Sequence, residues 1–224
     1  MKNTYYFLLL ALLISACQVE EEVKRKPNFI FILVDDLGWA DVKANYPEGF
    51  YETPNLDQMA KEGLRFTQAY AAHPVCSPTR AALMTGMHPN RLGITDWIPG
   101  YDKFEESRPI ITPSINNELA LEETTLAEKF KDNGYQTFFI GKWHLGEEEK
   151  YWPENQGFDV NIGGWRVGAP QLKKGKSNGY YSPYGNPKLT DGPEGEYLTD
   201  RLTNESLQLI REKNKEPFLL YLSF

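Results

Sequence analysis

Three short apolar runs constrain this chain more than any other feature: residues 28–34 (NFIFILV), 135–140 (YQTFFI) and 218–224 (FLLYLSF). The first is continuous in β-branched and aromatic residues, as in a strand buried on both faces of a parallel sheet. Helical patterns alternate with these runs. Thr53 can cap a helix that starts at Pro54, turns Leu56, Met59 and Ala60 to one face and stops at Gly63. A short strand over residues 64–71 follows. Ser77-Pro78 repeats the cap-then-proline start, with Ala81, Ala82, Leu83 and Met84 continuing to Gly86. Further helices are expected over residues 125–133, closed by Gly134, and 198–213. Residues 152–195, rich in Gly, Pro, Asn and Tyr, read as a long irregular insert on the functional face.

Alternating strands and helices predict an α/β layered fold with a mostly parallel central sheet. Ligands in such sheets bind beyond the C-terminal ends of the strands. Asp35-Asp36 and Lys142-Trp143-His144 both follow strand ends, so one sheet edge should collect them. The last run stops without a covering helix or polar tail, which leads us to expect the N-terminal part of a longer protein, cut short by truncation or frameshift.

The N-terminus reads as an export signal. Residues 1–17 give one lysine, an apolar run too short to span a bilayer, and small residues before Cys17. Ile14-Ser15-Ala16-Cys17 resembles a lipobox, so Cys17 is the expected lipidation site of a protein anchored in the bacterial periplasm or at the cell surface. An ordinary signal peptide or an uncleaved anchor is the alternative. Residues 18–27 read as a flexible tether and residues 28–224 as the folded part. The formal charge of 24 − 31 = −7 becomes 23 − 31 = −8 once Lys2 leaves with the signal, which disfavours nucleic acid as a partner. With Cys17 acylated, Cys76 is a thiol without a partner in an exported chain, either an inert buried cysteine or a chemically used one.

Several residues carry candidate chemistry. Asp35 and Asp36 are adjacent carboxylates that repel unless a cation lies near, and their hard oxygens suit Ca²⁺ or Mg²⁺; Asp-Asp-x-Gly also suits a plain turn. Cys76, just before a helix, would feel exposed N–H groups that favour an anion, and Arg80 can reach back to the same spot. Lys142 and His144 flank Trp143, so in an extended loop their side chains point the same way and can converge on one anion; a solvated lysine and a structural histidine are the alternative.

At this point the residues resemble a family. PVCSPTRAALMTG resembles the first signature of the formylglycine-dependent sulfatases, C-x-P-x-R followed by a small, apolar helix, with Thr79 where serine is most frequent. GYQTFFIGKWHLG resembles their second signature, NFIFILVDDLGWAD their metal-binding strand, and GFDVNIGG a recurring segment. The resemblance implies an alkaline-phosphatase-like α/β/α sandwich. It implies that a maturation enzyme oxidises Cys76 to Cα-formylglycine, whose hydrate attacks the sulfur of a sulfate ester with one hydroxyl and expels sulfate with the other. By the same resemblance Asp35, Asp36 and the formylglycine at Cys76 ligate Ca²⁺, with Mg²⁺ second. Arg80 holds the formylglycine, Lys142 binds the sulfate and His144 orients or deprotonates the hydrate. The family's remaining ligands, an Asp-Asn pair with a further lysine and histidine, have no counterpart in these residues. The expected substrate is a sulfated small molecule or glycan. A phosphonate or phosphodiester hydrolase of the same superfamily, and an inactive fragment or surface binding protein, are the alternatives.

Overall fold

The computed structural model describes residues 26–100, 113–173, 175, 177–213 and 215–224. The expected export signal, Cys17 and most of the expected tether lie outside the described residues. In chain order the elements are β1 (Phe29–Leu33), α1 (Pro54–Glu62), α2 (Cys76–Thr85), α3 (Pro89–Leu92), α4 (Leu126–Asp132), β2 (Gln136–Gly141), β3 (Val160–Ile162), β4 (Leu172–Lys173), β5 (Ser177–Asn178), α5 (Leu198–Glu212) and β6 (Phe218–Ser223).

Four strands form a parallel sheet in the order β1-β6-β2-β3, and β4 and β5 form a separate antiparallel hairpin. β6 is buried along its whole length, because it has a neighbour on each edge and cover on each face. The period-2 alternation of side chains divides the core in two. Tyr221 of β6 and Phe139 of β2 face Ala81 and Met84 of α2 and Ala127 of α4. Phe138, Ile140, Leu220 and Leu222 face the opposite way, onto Leu202 and Leu209 of α5. The layering is α/β/α, and stacked rings bind the first half, with Tyr221 lying 4.7 Å from Phe31 and 5.5 Å from Phe139 between centroids.

Where the structure departs from the expected elements, the reason is packing. β1 is an edge strand: Phe31 and Leu33 reach the core, but Ile30 and Ile32 are 53% and 51% exposed, since α5 covers β2 and β6 and stops short of β1. Residues 64–71 form turns and irregular chain instead of a strand, with Leu64, Phe66 and Tyr70 exposed. α1 starts at Pro54 as expected, yet it buries no residue, and Leu56 and Met59 face outward. α2 begins two residues early, at Cys76 itself, with Val75 instead of Ser77 as cap; Pro78 is tolerated in the first turn because its missing N–H would find no partner there.

α4 follows its sequence closely. Thr125 accepts from the Glu128 N–H while Glu128 reaches back to the Thr125 N–H, a reciprocal capping box that satisfies two end groups. Thr125 also donates to the Gln156 carbonyl at 2.8 Å, tying the helix to the loop after β2.

Candidate active site

The C-terminal ends of β1, β2 and β6 lie side by side, and the chain leaving each of them supplies the site. After β1 comes Asp35-Asp36, with Asp36 at φ 57, where Asp is better tolerated than most residues. After β2 the chain turns at Gly141, whose φ is 104 and whose Cβ, if it had one, would lie 1.8 Å from the Ser223 carbonyl oxygen. Only glycine fits there, and the turn delivers Lys142 toward β1. From the other side α2 begins at Cys76, so the thiol is carried by the first residue of the helix, at its positive end.

These elements bring four of the sequence-predicted residues into one cluster. The Lys142 ammonium donates to Asp35 and, at 3.1 Å, to Cys76 Sγ. Cys76 Sγ lies 3.7 Å from Asp35 Oδ2. Behind them Arg80, only 3% exposed, pairs with Asp35 at 3.6 Å and donates from Nη1 to the Lys142 carbonyl at 2.5 Å and to Ser223 Oγ at 2.6 Å. Arg80 therefore bolts the ends of β2 and β6 together while facing the carboxylate. Burial alone would raise the Asp35 pKa, but the Lys142 hydrogen bond and the Lys142 and Arg80 charges outweigh it and hold this carboxyl below its ordinary value. Burial lowers the Arg80 pKa, partly offset by the Asp35 charge.

Asp36 lines the same cavity as Asp35 and Lys142 and makes no ion pair among the described residues. As donors for a divalent cation, Asp35 and Asp36 have the right hard-oxygen chemistry, and Asp35 is shared with the Lys142 and Arg80 side chains. Among the described residues no group of three or more His, Cys, Asp or Glu side chains could hold an ion.

His144 corrects the expected geometry. The loop is not extended: His144 has φ 60, and its ring is buried with Nε2 2.6 Å from the Ile98 carbonyl instead of converging with Lys142 on one hydrogen-bond partner. A carbonyl only accepts, so Nε2 carries the proton and Nδ1 presents a lone pair, for which the described residues offer no partner. Burial, with the Lys142 and Arg80 charges adding to it and the Ile98 bond and Asp35 opposing, pushes the pKa down to about 4, so the ring is neutral at pH 7.

Ser77 and Ser223 are site residues that the sequence did not single out. Ser77, read as a helix cap, instead donates to the His144 carbonyl at 2.9 Å and accepts from the Ile98 N–H at 3.0 Å, locking the His144 loop against α2. Nothing in their sequence contexts separates these serines from any other; their roles depend on contacts across 67 and 143 residues of chain.

Comparison with known proteins places this cluster among relatives. A family model described as Sulfatase matches residues 27–224. Arylsulfatase G of Homo sapiens is 43% identical over 151 residues, covering 67% of this chain and 26% of that protein. N-acetylgalactosamine-6-sulfatase of Homo sapiens is 36% identical over 218 residues, covering 87% of this chain and 38% of that protein. Among solved structures, Ps i-CgsB in complex with k-i-k-neocarrahexaose superposes with a TM-score of 0.69 at 31% identity, over 89% of this chain and 45% of that one. The chain thus spans between about a quarter and two fifths of the length of these curated relatives.

Proposed function

The chain belongs to the sulfatase family, and from that premise we propose that the protein hydrolyses sulfate esters of a sulfated carbohydrate, with Cys76 converted to formylglycine as its nucleophile. Its fold is the alkaline-phosphatase-like α/β/α one. The observation that carries the reading is the surroundings of Cys76: a side chain at the first residue of a helix, 3.1 Å from an ammonium and 3.7 Å from a carboxylate, with a buried guanidinium behind. Such a place favours an oxyanion at position 76 and a sulfate in front of it.

The residue roles follow from position. Lys142, already within hydrogen-bonding distance of the position-76 side chain, binds sulfate oxygens as a point charge. Arg80 is too buried to reach bulk substrate; it holds the charge at position 76 and fixes Lys142 through the main-chain carbonyl. His144, neutral and with Nδ1 as acceptor, orients a hydroxyl instead of storing a proton. Asp35 and Asp36, with the oxygen at position 76, would hold a Ca²⁺ ion, which supplies polarisation of the sulfate oxygens when bound. The conversion of Cys76 requires a formylglycine-generating maturation enzyme that reads Cys76-x-Pro78-x-Arg80. Export and acylation at Cys17 would put this chemistry at the periplasmic or outer cell surface, where glycan substrates are met.

The carbohydrate class is supported by the relative that is named for N-acetylgalactosamine 6-sulfate. The test is sulfate release by the protein isolated from its own host, with a 6-sulfated amino sugar and a phosphonate monoester as parallel substrates and Lys142→Ala as control. Sulfate release that is lost in Lys142→Ala is the expected result. Cleavage of the phosphonate in preference to the sulfate ester would move the protein to the neighbouring hydrolase class.

A further inference from the structure

A cavity of about 350 Å³ adjoins the cluster, with Asp35, Asp36 and Lys142 in its lining. That volume lies at the small-ligand end of the range for binding clefts. Much of the remaining lining comes from the insert after β2, including Trp165, Lys173, Tyr180 and Asn186, and from α5 through Leu198. Aromatic faces beside amide and hydroxyl groups form a surface suited to a sugar ring.

The charge of this wall sets it apart. Residues 160–190 contain no Asp or Glu, and five cations, Arg166, Lys173, Lys174, Lys176 and Lys188. A stretch of +5 in a chain of −7 leaves −7 − 5 = −12 for all the rest. Two of these cations are already used. Lys188 is held by Glu149 at 2.7 Å and Glu154 at 2.6 Å, and Arg166 lies over the Trp165 ring and pairs with Glu147 at 3.5 Å. Lys173 makes no ion pair among the described residues, is exposed to solvent and lines the same cavity as Lys142. An unpaired ammonium in the lining of a cavity that Lys142 also lines is placed to receive a second anion.

We infer that this cavity is a subsite for a second anionic group, read by Lys173, so that the preferred substrate is an oligosaccharide carrying anionic groups on neighbouring positions, not an isolated monosulfated or aryl ester. This rests on the sulfatase reading above and narrows its substrate class. Trp165 and Tyr180 take the intervening ring, and Lys173 determines specificity without touching the reacting atoms.

The experiment is calorimetric titration of the protein, with Cys76→Ala in every sample to prevent turnover. One ligand is a disaccharide sulfated on both rings, the other a monosulfated monosaccharide that shares its first sulfate. Lys173→Gln should weaken the disulfated ligand by roughly two- to fivefold, the range of a solvent-exposed ion pair, and leave the monosulfated one unchanged. Lys173→Arg should restore the difference, and equal thermal unfolding of the variants shows that the fold is kept. Normal binding of the monosulfated sugar with no selective loss in Lys173→Gln overturns the subsite alone. Failure of both sulfated sugars to bind overturns the sulfatase reading and the subsite with it.

Discussion

His144 makes the stability of this protein depend on pH in a window that can be stated in advance. Its ordinary pKa of 6.5 falls to about 4 in the folded state, because burial of the ring and the nearby cations Lys142 and Arg80 outweigh the Ile98 hydrogen bond and the Asp35 charge. The unfolded chain therefore binds a proton near pH 6.5 that the folded chain refuses until about pH 4. A depressed histidine contributes stability that is fully present above 6.5 and is lost as pH falls through the folded value. Two and a half units at 1.36 kcal/mol each give about 3 kcal/mol at stake between pH 7 and pH 4, an order-of-magnitude figure for so buried a group. Urea unfolding followed at half-unit intervals from pH 7.5 to 4.5 measures it. The wild type should lose stability with a slope approaching 1.4 kcal/mol per pH unit in the middle of that window, on top of whatever other groups contribute. His144→Asn removes the titrating ring and should flatten the curve there, whatever its own baseline stability. A wild-type curve that is level between pH 6.5 and 4.5, or a slope that is undiminished in His144→Asn, would refute this role of His144.

Two further substitutions test the packing of the site. Asp35→Asn strips the compensating charge from Arg80, whose Nε and Nη2 have no hydrogen-bond partner in the described residues; breaking a buried pair costs about 3–5 kcal/mol, and the quarter-exposed Asp35 side chain brings the expected loss to about 2–3 kcal/mol in urea unfolding with a chelator present, against less than about 0.5 kcal/mol for Asp36→Asn. Tyr221 buries a hydroxyl that finds no partner among the described residues, between the rings of Phe31 and Phe139, so Tyr221→Phe should unfold at equal or higher urea, by about 1 kcal/mol at most. A large destabilisation would mean that the hydroxyl has a role in the fold.

Much of the sheet could be read in advance because its signals are local. The apolar runs at 28–34, 135–140 and 218–224 became β1, β2 and β6, and the helix expected over 125–133 became α4, Leu126–Asp132. The gathering of Asp35 and Lys142 on one edge followed from parallel strands alone. What could not be read depends on neighbours distant in sequence. NFIFILV looks buried on both faces, but α5 ends its cover at β6, and no property of those seven residues states where a helix 170 positions later will lie. The short Val160–Ile162 strand is recognisable only through its register with β2. An extended Lys142-Trp143-His144 would have aimed both side chains one way; the His144 φ of 60 is set by Ser77 and Ile98, which hold the loop from two other segments. The same holds for the insert, whose lack of period hid a cavity wall whose unusual feature is charge rather than pattern.

The account turns on one side chain. Tryptic cleavage after Arg65 and Arg80 releases residues 66–80 with Cys76 inside, and mass spectrometry of that peptide, from protein made in its own host, reads the state of position 76 directly. The account predicts the mass of an aldehyde in place of the thiol. An unmodified thiol throughout would contradict it, and would leave the cluster of Asp35, Arg80 and Lys142 as a binding site without a nucleophile.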